Sequence, residues 1–279
     1  MIDYLPTALV LLAFALHVNG ERRAAVRTGR PRSREARHRA LMFYAGLVAI
    51  LIALSAPVDS LADRLFWVHM IQHLLLLVVA APLIVLGQPW MSIWRPLPLG
   101  FRRGVAGTAI RAAWLAPLRG AFRALSSPVG AWLAFNLALV IWHLPGPYDL
   151  TLRSSYVHAL EHATFLAVGI LFWSQVTALA PVREGLPIPK RIGYVASASV
   201  VNIGLSMYLA FAQHALYGAY ASLAHRPGGI SALADQQMGA GFMWTAGDMP
   251  FAIAIALLVQ SWLAANEAAT ARLGQRVEV

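Results

Sequence analysis

Residues 65–87, LFWVHMIQHLLLLVVAAPLIVLG, run for 23 residues without one Asp, Glu, Lys or Arg. A bilayer core of roughly 30 Å is crossed by about 20 helical residues, so this stretch reads as a transmembrane helix. Comparable apolar runs occupy 4–18, 40–57, 128–145, 157–179, 192–213 and 238–264, which makes seven spans. Composition agrees with that reading: 59% of the 279 residues are hydrophobic, 12% are charged, and mean hydropathy is +0.62. A soluble domain carries about twice that share of charge. The expected fold is therefore all-α, a polytopic membrane helix bundle forming one integral-membrane domain over 1–279, with no internal repeat and no soluble domain.

The net charge of +10 invites a nucleic-acid partner, but the placement of the charge argues against one. Eight Arg fall between Glu21 and Arg39 and six more between 88 and 127. Arg183, Lys190, Arg191, Arg272 and Arg276 complete the set on that side of the bundle. The alternate connections hold only Arg64, Arg153 and Arg226, a partition of 19 basic residues against 3. The positive-inside rule puts the rich set in the cytoplasm, so the N-terminus is expected outside and the C-terminus inside. The 88–127 connection mixes Arg with Trp, Leu and Val, and reads as short amphipathic pieces along the cytoplasmic membrane surface. Asp3 and the lack of a positive leading region argue against a cleavable signal peptide. Pro57, Pro82, Pro145 and Pro250 are expected at helix ends or kinks.

This topology sorts the nine histidines. His17 and His38 fall on the cytoplasmic side, and the other seven on the outer side. His69 and His73 open the third span, His143 closes the fourth, His158 and His162 open the fifth, and His214 closes the sixth. Residues four apart share a helix face, so each of the two HxxxH pairs can chelate one ion, with His143 at the same depth. Polar side chains facing lipid are costly, which turns these groups toward the bundle interior or a vestibule. The alternative is a set of interfacial histidines bonded to backbone or water. Gln72 and Glu161 are candidates to orient the imidazoles. Asp235 and Met238 begin the seventh span at the same level. Asp248 lies about ten residues deeper, where a carboxylate is a functional candidate by default, or else a structural partner of Asn202 or Asn136.

The chain has no cysteine, so thiolate sites and disulfides are excluded. Imidazole suits copper, zinc, iron and nickel, whereas thioether favours Cu(I). Met70, Met207, Met238, Met243 and Met249 lie on the spans that carry or face the histidines, although ordinary packing accounts for them equally well. Histidine with methionine and no cysteine suits copper in an oxidising exterior.

HMIQHLLLLVVAAPLIVLGQP, WHLPGPYDL, HALEHATFLAVGILFW and DQQMGAGFMW, in this order, resemble the multi-span CtaG-type assembly factors of cytochrome c oxidase. The likeness runs from about Leu65 to Trp262. It implies a bacterial inner-membrane protein that helps mature haem–copper oxidases by handling copper, with oxidase subunits as partners. The family's signature histidines fall on His69, His73, His143, His158 and His162, and its acidic–Gln motif on Asp235, Gln236 and Gln237.

Two other functions compete with copper binding and delivery. His158-Ala159-Leu160-Glu161-His162 fits the HxxEH pattern of zinc hydrolases, with Glu161 as general base. A b-type haem protein would ligate haem with one His from each of two facing spans.

Overall fold

A computed structural model describes residues 4–29, 32–180 and 185–277. Asp3, Arg30 and Arg183 lie outside the described residues. The described chain is helical, with no strand. The helices are α1 (Leu5–Thr28), α2 (Arg34–Ala53), α3 (Ala56–Ala62), α4 (Phe66–Gly87), α5 (Trp90–Trp94), α6 (Leu99–Arg111) and α7 (Ala116–Leu125). They continue as α8 (Pro128–Trp142), α9 (Pro145–Arg153), α10 (Ser155–Thr177), α11 (Ile188–Ala210), α12 (Gly218–Ala221), α13 (Ala232–Thr245) and α14 (Met249–Val277).

Five of these are long and apolar enough to cross a membrane: α2, α4, α10, α11 and the run formed by α13 with α14. A sixth crossing arises if α8 and the preceding Ala113–Leu125 segment, bent by 83° from each other, count as one span. The expected first span forms the N-terminal part of α1, whose last two turns carry Glu21, Arg22, Arg23 and Arg27.

Several boundaries differ from those expected, each for a local reason. Ser33 accepts from the N–H of Ala36 and starts α2 well ahead of its apolar stretch, so the helix includes Arg34 to Arg39. Hydropathy is blind to such a polar first turn. The seventh apolar run is broken at 246–248. A Cβ at Gly247 would lie 2.2 Å from the carbonyl oxygen of Met243 and 2.9 Å from Leu74, so this break rests against α4. Ser231 caps α13 through the N–H of Ala234. Within 88–127, α6 and α7 bury no residue and expose Phe101, Ile110 and Phe122, and Trp114 in the turn between them is exposed as well.

The main core joins Leu77, Val78, Ala81 and Val85 of α4 to Phe135 of α8, Phe165 and Phe172 of α10, Val195 of α11 and Phe251 of α14. Helices α4 and α10 come close because Gly169 lacks a Cβ, which would lie 2.8 Å from that of Ala81. Above this layer Phe66, Met70, Tyr148, Tyr217 and Tyr220 form a second cluster at the histidine level. The opposite faces carry exposed Leu133, Leu137, Leu160, Val200, Ile253 and Leu257, which is the pattern of a bundle solvated by lipid.

Between Leu75 and Ala80 helix α4 widens into a π-turn, in which the N–H of Ala81 donates to the oxygen of Leu76. Pro82 has no N–H to donate. The oxygen of Leu77 is thereby freed, and the indole N–H of Trp173 donates to it at 2.9 Å.

Candidate metal centre

The two HxxxH pairs meet face to face. Asp235 of α13 accepts from the N–H groups of Phe66 and Trp67 at 2.9 and 3.1 Å, which caps α4 from a neighbouring helix. This cap sets the first turn of α4, and His69 and His73 follow on the face turned to α10. From α10, Glu161 points back between them, with carboxylate oxygens 3.3 Å from His69 Nε2 and 3.4 Å from His73 Nε2. Ligand atoms of His69, His73, Glu161 and His162 all lie within 4.8 Å of one another, and all four residues are buried. A tetrahedral ion with bonds of about 2.0–2.2 Å spaces its ligands roughly 3.4 Å apart. Side-chain shifts on the order of 1 Å close such a shell.

The hydrogen-bond network indicates why a cation fits. The phenol of Tyr220 donates its one proton to the oxygen of Ala62. The Nδ1–H of His69, 3.3 Å away, is therefore the donor to that phenol oxygen, leaving Nε2 as a lone pair. That lone pair faces a carboxylate oxygen, an arrangement of two acceptors that needs a cation or a proton between them. Both ring nitrogens of His73, Nε2 of His158, Nε2 of His162 and Oε1 of Glu161 have no hydrogen-bond partner. Buried polar atoms are nearly always paired. His73, Glu161 and His162 thus each bring an unpartnered buried atom to the group that His69 completes, a candidate donor set for a metal.

The other expected residues divide. His158 is half-buried at the margin, its ring centroid 4.2 Å from that of His162 and 4.8 Å from that of His69. His143 stands beside the cluster, 5.8 Å from His73 between ring centroids. Its Nδ1–H donates to the oxygen of Leu139 at 2.7 Å, so Nε2 is free and lies 3.3 Å from the sulfur of Met70. A cavity of about 20 Å³, the room of one water, separates His73, His143 and Met70 from the apolar core.

Gln72, expected to orient the imidazoles, turns the other way. It donates to the oxygen of Ala53 at 2.8 Å and to Asp59 at 3.1 Å, and so fastens α4 to α2 and α3. Asp235 sits outside the cluster as the cap described above, with the guanidinium of Arg226 at 3.6 Å. Met238 and His214 are exposed and do not join the cluster. Asp248 accepts from Ser199 Oγ at 2.9 Å and has the Asn202 amide beside it, which also donates to the oxygen of Met243; Asn136 donates to that of Trp132. Glu161, expected to orient ligands, stands among them. Sequence reasoning missed Tyr220, which comes from the connection between α11 and α13 without any spacing signal and fixes the tautomer of His69.

The rings of His69, His73, His158 and His162 lie against one another. A huddle of this kind offers no flat slot between two opposed imidazoles such as haem requires.

A membrane-crossing helix bundle enclosing a His/Glu donor set defines the class: a polytopic membrane protein with a candidate internal metal centre. The chain belongs to the cytochrome c oxidase caa3 assembly factor (Caa3_CtaG) family, whose profile matches residues 20–265. The chain is also 26% identical over 224 residues to proteins of Mycobacterium bovis and Mycobacterium tuberculosis, and 26% identical over 225 residues to one of Mycobacterium leprae, each described as uncharacterized. These matches cover 80% of this chain and 34% of each relative, so the chain spans about a third of the length of these relatives. No solved structure matches it.

Proposed function

We propose that the protein holds a copper ion at His69, His73, Glu161 and His162, with His158 and His143 beside them, and passes it to cytochrome c oxidase subunits during assembly. The observation that carries this reading is the convergence of unpartnered ring nitrogens on a buried carboxylate. Three imidazoles and a carboxylate also suit zinc. Copper is preferred because the family serves a copper-containing oxidase and because a Met70 thioether stands next to His143.

The reading places the protein in a bacterial inner membrane as a single seven-span domain, with α1 as the first span and α8 as the fourth. The partition of basic residues supports an outside N-terminus and a cytoplasmic C-terminus. The cluster then lies toward the outer leaflet, where copper arrives.

A strain lacking the protein should accumulate oxidase polypeptide with low activity, and external copper should restore part of it by mass action. The His73→Ala variant should insert normally, because bundle packing does not depend on one imidazole, and should fail to complement. Full complementation by His73→Ala and by His162→Ala would remove the histidines from the function and leave helix–helix contact with the oxidase as the means of assistance.

A further inference from the structure

Burial creates a difficulty for a delivery protein: His69 and His73 are 0% and 4% exposed, so a cation cannot reach them directly from the outer face. One side of the cluster is open, however. A cavity of about 370 Å³ lies between α1, α2, α4 and α10. Asp59, Ser155, His158 and His162 form its polar end, and Leu9 and Leu166 belong to its apolar wall. His162 belongs to this lining and is 6% exposed, and its buried Nε2 has no hydrogen-bond partner. Asp59 is steadied by the amide of Gln72, which donates to its Oδ1 at 3.1 Å.

The geometry points to this cavity as the passage by which the metal cation enters and leaves the cluster, with Asp59 and His158 as the first groups it meets. The inference rests on the metal-binding reading above and adds a route and an order of contact. Asp59 supplies a negative charge that raises the local concentration of cations. The half-buried His158 offers a first imidazole, and His162, one helical turn further on, belongs to both the passage and the cluster. The apolar wall offers the ion no competing ligand. Each transfer thus moves the ion to a group with more protein ligands around it, and release reverses the order.

The absence of native cysteine makes the passage testable by chemical blocking after folding. Ala159 lines the cavity. Leu160, next to it on α10, is 58% exposed and does not line it. The variants Ala159→Cys and Leu160→Cys are purified in detergent, capped with a bulky maleimide, and mixed anaerobically with Cu(I); bound copper is measured over time after rapid desalting. Capped Ala159→Cys should load roughly tenfold or more slowly than capped Leu160→Cys, because entry then limits the rate, and should reach the same final stoichiometry. Asp59→Asn should load roughly two- to tenfold more slowly than the unaltered protein, with a weaker dependence on salt. Equal loading rates for the two capped proteins would overturn the passage. If the unaltered protein binds no Cu(I) at all, the metal-binding reading falls, and the passage falls with it.

Discussion

Replacing Glu161 by Gln separates a metal centre from a merely structural cluster, because the two make opposite demands on this carboxylate. Glu161 is fully buried, its oxygens 3.3 and 3.4 Å from imidazole nitrogens of His69 and His73. Glutamine keeps the shape and one oxygen but removes the charge. At an effective dielectric of about 20, unit charges at this separation interact by roughly 5 kcal/mol. The amide dipole retains part of that, so the expected loss of metal binding is about 2–4 kcal/mol, or roughly 30- to 1000-fold in Kd. The metal-free protein should behave differently. Without metal, the glutamine amide can donate to His69 Nε2 in place of the proton the carboxylate pair needs, so thermal unfolding of metal-free Glu161→Gln should occur no lower than that of the unaltered protein. Competition with a chromogenic Cu(I) chelator gives the affinity, and a thermal melt in detergent gives the stability. An unchanged Kd would refute the assignment of Glu161 as a ligand. A fall in stability of the metal-free variant would make the carboxylate a packing element instead.

Three further outcomes test the frame around the site. A reporter fused after Val279 should be active only in its cytoplasmic form, and periplasmic activity would invert the orientation and place the cluster at the wrong leaflet. Asp235→Asn removes the charge facing the α4 N-terminus and Arg226, and should cost about 1–3 kcal/mol of stability; the folded fraction should keep its metal affinity, and a loss of affinity with an unchanged melt would make Asp235 a ligand. Trp173→Phe leaves the buried oxygen of Leu77 without a donor and should cost about 1–3 kcal/mol, while a melt within experimental error of the unaltered protein would show that another group, or the π-turn itself, accommodates that oxygen.

Much of this architecture is legible in the sequence because lipid imposes simple rules. An uncharged run as long as 65–87 has few alternatives to a membrane helix, and the four-residue spacing of His69 with His73 and of His158 with His162 survives any error in helix boundaries. Long-range contacts leave no such trace. Nothing local to Asp235 reveals that its carboxylate caps a helix that starts at Phe66, and its place in a DQQ motif beside the histidines suggested the cluster instead. The same holds for Gln72, about 100° round α4 from His73, whose amide meets Ala53 and Asp59 instead of the cluster. Glu161 precedes His162 by one residue, yet both belong to the cluster, because opposed helices let neighbouring positions reach the same spot from either flank.

The π-turn links the site to the core beneath it. His69, His73, Leu77, Ala81 and Val85 recur every four residues and are all buried. In a straight α-helix each such step overshoots a full turn by about 40°, and by Val85 the drift reaches about 160°, nearly the opposite side. The extra residue accommodated between Leu75 and Ala80 takes back about 100° of that drift. The face that begins with two imidazoles therefore continues toward α10 as Leu77 and Ala81. There the Gly169 approach and the Trp173 hydrogen bond lock the two helices together. Pro82 is the visible sequence mark of this device, although a proline alone reads only as a kink. Its physical effect is to hold α4 and α10 in register along their length, so that the four clustered side chains they contribute meet at one depth.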